Sequence, residues 1–210
     1  VTYIQEVYLP ILKQLGVEAD LKLDQWGWYP RGGGQVTLQI TGSQQPIKGL
    51  QLLDRGTLQQ IRGLAVVTEL PAHIPQRMAN RAKNLLQQAK LPSHIQAIRE
   101  RSLSPGAGIF LVAEYEQIRA GFSALGRKGV PAERVAEMAV QELLDFQAIA
   151  LPVEPFLADQ LLLPLALSSQ SSQYGVARIT EHLRTNAWVI GQFGLANIMI
   201  DEVNGWVTVT

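Results

Sequence analysis

The segment FLADQLLLPLAL, residues 156–167, sets an acid and an amide, Asp159 and Gln160, inside an apolar run, with Pro164 four residues beyond Gln160. An unpaired carboxylate in apolar surroundings is costly. Either these side chains face water on a kinked packing helix, or they serve a site. On a helix, Phe156 and Gln160 share a face and Asp159 stands about 100° away. Pro164 lacks an N–H, so the carbonyl of Gln160 loses its i+4 partner. An aromatic ring, an acid, an amide and a free carbonyl are gathered at a helix bend, a set able to stack on and hydrogen-bond a nucleotide base. Spacing alone leaves both readings open.

The histidines are the other candidates for nucleophilic or metal chemistry. His73 in ELPAHIP and His94 in LPSHIQ lie at loop-like element starts and read as solvated or locally bonded rings. No HxH or HxxxH spacing points to a metal site, and no metal-ligating residues are expected. His182 differs. Thr180 has the character of an N-cap, which sets His182 in the first turn of a helix. A helix N-terminus offers free N–H groups to an anion and disfavours positive charge. A neutral ring nitrogen there is suited to attack phosphorus, and Asn186, one turn on, could orient the ring. An exposed first-turn histidine with no such task is the competing reading.

The run RGGGQ, residues 31–35, lacks the spacing of GxGxxG or GxxxxGK[ST]. Flanked by strand-like segments, it reads as a hairpin connection needing positive φ. Trp26, Trp28 and Tyr29 beside it either stack bases or pack over a sheet end. The 18 basic and 18 acidic residues cancel, which argues against bulk clamping of a polyphosphate backbone but not against reading a single strand end. With no cysteine, a disulfide framework, a thiolate nucleophile and cysteine-held metal are excluded, and a reducing, cytoplasmic setting fits. No apolar run reaches the roughly 18–20 residues that span a bilayer.

These candidates need elements to hold them. Ile4, Val7, Tyr8, Ile11, Leu12 and Leu15 keep a helical period that Gly16 ends. VEADLKLD and QVTLQIT alternate as strands. Residues 50–150 read β-α-β-β-β-α, a small α/β sandwich inserted into a larger domain; its last helix is opened by Pro131 and carries Val135, Ala139, Leu143 and Phe146 on its buried stripe. VEPFLADQLLLPLAL reads as a helix with Pro155 near its start, SSQSSQYG as a polar loop and VARIT as a strand. EHLRTNAWVIGQF reads as a helix and LANIMI as a strand, with Asn204–Gly205 as a type I′ turn into WVTVT. The opening α-β-β echoes the closing α-β-α-β-β, so two related units are expected to flank the insert. The opening unit looks like a back half, and the chain is expected to be a piece of something longer.

The stretches WGWYPRGGGQ, EPFLADQLLLPLAL and ITEHLRTNAWVI, in that order, resemble the RNA 3′-terminal phosphate cyclase family, as does FSALGRKGVPAERVAEMAV in the insert. The resemblance implies an α+β fold of repeated βαβαββ-type units, similar to a translation initiation factor C-terminal domain, with a small thioredoxin-like insert. Residues 1–49 would belong to the main domain, 50–150 to the insert, and 151–210 to the last unit with the nucleotide site. It implies an ATP-dependent ligase-class enzyme that turns an RNA 3′-terminal phosphate into a 2′,3′-cyclic phosphodiester, releasing AMP and diphosphate. His182 falls at the family's adenylylated nucleophile. Phe156, Leu157, Ala158, Asp159 and Gln160 fall on its ATP-binding stretch, and Tyr3 more weakly on an aromatic near adenine. Phe156 stands where tyrosine or histidine is usual and has lost a polar tip. The implied partners are ATP, a divalent ion (Mg or Mn) and an RNA 3′-phosphate end, without a membrane; a homodimer is compatible. The family's early glycine motif has no counterpart here, since RGGGQ matches a later turn, so this piece is expected to be weak alone. A noncatalytic relative in ribosome assembly, expected to lack the histidine, and an enolpyruvyl-transferase-like enzyme, expected to carry several anion-binding Lys and Arg, are the alternatives.

Overall fold

The computed structural model describes residues 1–41 and 45–210. The chain opens on a π-helical turn, Ile4–Tyr8, that runs into α1, Leu9–Gln14, and stops at Gly16, whose φ is +89°. Val7, Ile11, Leu12 and Leu15 are buried, as their helical spacing requires. β1 (Glu18–Gln25) and β2 (Gln35–Thr41) form an antiparallel hairpin with Leu21 opposite Leu38. Gly32 and Gly33, at φ +67° and +76°, make the connection, as RGGGQ demanded.

The next strand, β3 (Gln51–Leu52), pairs in parallel with a late strand, β8 (Ser172–Gly175), in a sheet that β9 (Ile198–Asp201) and β10 (Trp206–Val209) complete in the order β3-β8-β10-β9. The chain then crosses to a second core just after Leu52. There β4 (Leu58–Thr68), α2 (His73–Gln88), β5 (Ser93–Glu100), β6 (Gly106–Tyr115), β7 (Arg119–Leu125) and α3 (Ala132–Gln147) build a sheet of order β5-β4-β6-β7, with β4 and β5 parallel and the rest antiparallel. The order of elements is the one read from the sequence, and the fold is α+β.

β6 joins the two cores. Ile109, Leu111 and Ala113 pack against α2 and α3, while Phe110 and Val112, on the other pleat face, pack into the core of the opening helix and the C-terminal elements. A strand buried on both faces has no polar alternation, which is why GIFLVA reads as a continuous apolar run. Arg62 of β4 adds a polar tie, donating to Glu114 and to Glu6 of the opening helix, both at 2.6 Å. The helix also sits very close to β7. A Cβ built on Gly121 would lie 2.8 and 2.9 Å from ring carbons of Tyr3 and 2.9 Å from a Val7 methyl. Gly121→Ala should therefore lower the unfolding free energy by about 1–3 kcal/mol, the cost of overpacking. Urea denaturation reads this directly, and a loss below about 0.5 kcal/mol would show that the helix does not press on β7.

The last section departs from the sequence reading twice. SSQSSQYG is not a loop throughout: Ser172–Gly175 is β8, in the interior of its sheet, and of VARIT only Val176 makes a β-bridge, to Val153. Polar composition hid a buried strand whose polar groups are satisfied. Ser172 Oγ accepts from the Leu50 N–H at 3.0 Å, and the hydroxyl of fully buried Tyr174 donates to the Ala158 carbonyl at 2.8 Å. The second departure is the turn between β9 (Ile198–Asp201) and β10 (Trp206–Val209), which pair from Asp201 opposite Trp206. The connection has four residues, not an Asn-Gly type I′ pair. Gly205 alone has positive φ, +72°, and the Asp201 carboxylate accepts from the N–H groups of Val203 and Asn204 at 3.0 and 3.1 Å. That Asx-type capping outcompetes the tighter turn.

Candidate active site

The site elements are α4 (Pro155–Gln160), α5 (Leu162–Ala166) and α6 (Glu181–Gln192), and α4 packs beside α6. α4 and α5 are parted at Leu161, which itself keeps its bonds to Leu157 and Leu165, while Pro164 cannot donate to the Gln160 carbonyl. Leu157, Ala158, Leu161, Leu162 and Leu165 are buried and seat this bend on the core. Leu157 and Ala158 are fully buried, with their backbone groups bonded within the protein, whereas Phe156 is 53% exposed. Gln160 folds back, donating to the Phe156 carbonyl at 2.9 Å.

Thr180 caps α6 as expected, its hydroxyl accepting from the Leu183 N–H at 3.1 Å. His182 lies in the first turn with its ring exposed, while Leu183 is buried beneath it. Asn186 turns its amide to α4, donating to the Asp159 carboxylate at 3.3 Å. Burial pushes the Asp159 pKa up, and the nearby His182 ring pulls it part of the way back. The sequence candidates from α4 and α6 are therefore brought onto one surface. A helix start, an accessible imidazole and a half-buried acid can together hold a phosphate and offset positive charge forming on the ring.

Tyr3 reaches the same place from the far end of the chain. Its hydroxyl donates to Glu154 in a short bond, and its ring meets Phe110 edge-on with centroids 6.4 Å apart. Burial, with Glu154 beside it, raises the Tyr3 pKa further above its ordinary range. Glu154 was not among the sequence candidates. It is 1% exposed and accepts from the Phe156 and Leu157 N–H groups at 2.6 and 3.0 Å, capping α4. Its burial lifts its pKa to about 7, against the pull of those three donors. The signal available was the pair Glu154–Pro155, an acceptor before a residue suited to the first helical position.

Two hollows adjoin these residues. A cleft of about 170 Å³ lies between α3 and the start of α4, lined by Phe122, Glu142, Phe146, Glu154, Phe156 and Arg178. A larger cavity, about 530 Å³, is walled by Tyr3, Trp26, Trp28 and Phe110 and contains neither His182 nor α4. Trp26 and Trp28 stack there at 6.0 Å, Trp28 lying across Gly106, so this cluster packs against the end of the insert sheet. His73 and His94 are exposed and stand apart from α4 and α6. Among the described residues no group of three or more His, Cys, Asp or Glu could hold a metal ion, and none of their helices is long and apolar enough to cross a membrane.

Comparison with known proteins bears on this surface. The model of the family described as RNA 3′-terminal phosphate cyclase (RTC), insert domain, matches residues 53–148. A protein of Nostoc punctiforme named RNA 3′-terminal phosphate cyclase is 56% identical over 209 residues, 100% of this chain and 60% of that protein. One of Gloeothece citriformis with the same name is 57% identical over 198 residues, 94% of this chain and 56% of its own. One of Thermococcus kodakarensis is 37% identical over 208 residues, 99% and 59%. The chain thus spans about 60% of the length of the curated relatives it matches. Matched along its whole length under a single name, and through its middle by that family's insert model, this chain is similar throughout to RNA 3′-terminal phosphate cyclases.

Proposed function

We propose that the protein uses ATP to convert an RNA 3′-terminal phosphate into a 2′,3′-cyclic phosphodiester through a covalent histidine–AMP intermediate on His182. The observation that carries this reading is the accessible His182 ring at the capped start of α6, facing the α4 acid Asp159 to which Asn186 is bonded. The name shared by the relatives supports the substrate and the product.

A phosphate monoester is a poor electrophile because its oxygens are poor leaving groups. In the first step a ring nitrogen of His182 attacks the α-phosphorus of ATP, forming an N–P bond as the bond to diphosphate breaks. The ring gains positive charge as it does so, and the Asp159 carboxylate offsets that charge. The RNA 3′-phosphate then attacks the same phosphorus, the N–P bond breaks, and the imidazole is regained. The neighbouring 2′-hydroxyl finally attacks the activated 3′-phosphorus, giving up its proton to a base as AMP leaves. Proximity makes that closure effectively unimolecular.

Phe156 is assigned to stacking on the base, Gln160 to its polar edge, and Tyr3 to the wall behind. The described acids do not form a metal cage, so a divalent ion would ride on the nucleotide's own phosphates and neutralise their charge. No step here depends on it. The 210-residue chain alone is expected to take little label, because the relatives' remaining length would contribute to the pocket.

The test is incubation of the protein at its natural length with ATP labelled at the α or the γ phosphorus. Label should pass to the polypeptide from the α position only, and should map to the peptide holding His182. Absence of α-label would return the chain to the reading of a noncatalytic relative in ribosome assembly.

A further inference from the structure

Tyr3 and Glu154 are 151 positions apart, yet their side chains meet in a buried hydrogen bond at the point where α4 begins. Capping alone does not call for this arrangement. Serine, threonine, aspartate or asparagine would cap a helix equally well. Glutamate is longer, and the length is used here. One oxygen accepts from the Phe156 N–H, and the other from both the Leu157 N–H and Tyr3. Pro155 has no N–H, so this carboxylate answers the first two donors that α4 has. Tyr3 is itself fixed, edge-on to Phe110 of β6 and pressed against Gly121 of β7. The start of α4 is thereby referenced to the sheet of the insert. Across the cleft of about 170 Å³, Phe156 faces Phe122 and Phe146, which the insert supplies. Further along α4, the Tyr174 hydroxyl holds the Ala158 carbonyl and Asn186 holds Asp159. The Glu154 contact is what governs the turn bearing Phe156.

We propose that Glu154, latched by the Tyr3 hydroxyl, is a positioning residue that sets α4 so that Phe156 and Gln160 meet the base of the nucleotide. The proposal rests on the reading of α4 and His182 as the adenylate site. Glu154 touches neither the nucleotide nor the reacting phosphorus; it acts through the backbone of Phe156 and Leu157.

The experiment measures label transfer from α-labelled ATP to the natural-length protein as a function of ATP concentration. Glu154→Ala should raise KM for ATP about tenfold, the factor carried by a charge-assisted hydrogen bond, with a much smaller change in the plateau rate. Glu154→Gln should recover only part of this, since its single amide oxygen can accept from one of the two backbone N–H groups while its NH2 is set against the other. Tyr3→Phe keeps the ring and both backbone contacts of Glu154, and should raise KM about three- to tenfold. The double variant Tyr3→Phe/Glu154→Ala should be no worse than the poorer single one, because both break one contact. Label in the unsubstituted protein with unchanged KM in Tyr3→Phe, and in any folded Glu154→Ala, would overturn the positioning role alone. So would additive losses, which would assign Tyr3 a separate contact. No label in the unsubstituted protein would overturn the adenylate reading, and the positioning role with it.

Discussion

His182→Ala should abolish transfer of label from α-labelled ATP to the polypeptide, a fall on the order of 10⁴-fold or more, the scale seen when a covalent nucleophile is deleted. The loss should come without unfolding. His182 is exposed on a helix start already capped by Thr180, and surface substitutions of this kind change stability by less than about 0.5 kcal/mol. Unfolding curves and label transfer should therefore separate cleanly. Asp159→Asn provides the graded comparison. It keeps the shape and a hydrogen bond to Asn186 but removes the charge opposite the ring, and should cost roughly 10- to 100-fold. A His182→Ala protein that still took label at one tenth of the normal rate would move the nucleophile elsewhere and leave α6 a packing helix.

The second large effect is a pH-dependent stability that belongs to Glu154. In the folded chain its pKa is raised to about 7 from the usual 4.5, by burial first and by the negative charge of Asp159 as well, while Tyr3 and the Phe156 and Leu157 N–H groups oppose the rise. Between these two values the native state binds more protons than the unfolded state, so stability falls as pH rises. The contribution is fully present below about pH 4.5 and is lost as pH passes through about 7. Its size is about 3 kcal/mol, since the side chain is almost wholly shielded from solvent. Glutamine has the same shape and does not titrate. The unfolding free energy of the unsubstituted protein, minus that of Glu154→Gln, should thus decline by about this amount from pH 4 to pH 8. A flat difference across that range would mean that the carboxylate is reached by water.

Local pattern carried a good part of this architecture. The insert was legible as β-α-β-β-β-α because a strand period of 2 and a helix period of 3.6 follow from side-chain direction along the chain. The missing i+4 bond to the Gln160 carbonyl was legible from Pro164 and the cap of α6 from Thr180, since each depends on a single backbone donor or acceptor nearby. β8 was not legible. Its residues are polar, and what makes Ser172 and Tyr174 a buried strand is partners at Leu50 and Ala158, far along the chain. The Asn204–Gly205 turn misled because a carboxylate outside the dipeptide, Asp201, satisfied the turn's N–H groups first.

The same division holds at the candidate site. Residue type and spacing along the chain determined that an imidazole would stand at a helix start and that an acid and an aromatic would share a bent apolar helix, because those are properties of one helix at a time. Tertiary structure decided that the two helices lie side by side, that Asn186 serves Asp159, and that a tyrosine near residue 1 closes on a glutamate at the entry of α4. A hydrogen bond between residues so distant in sequence leaves no periodic trace in it. It exists only because β6 is buried on both faces and draws the opening helix and α4 onto one core.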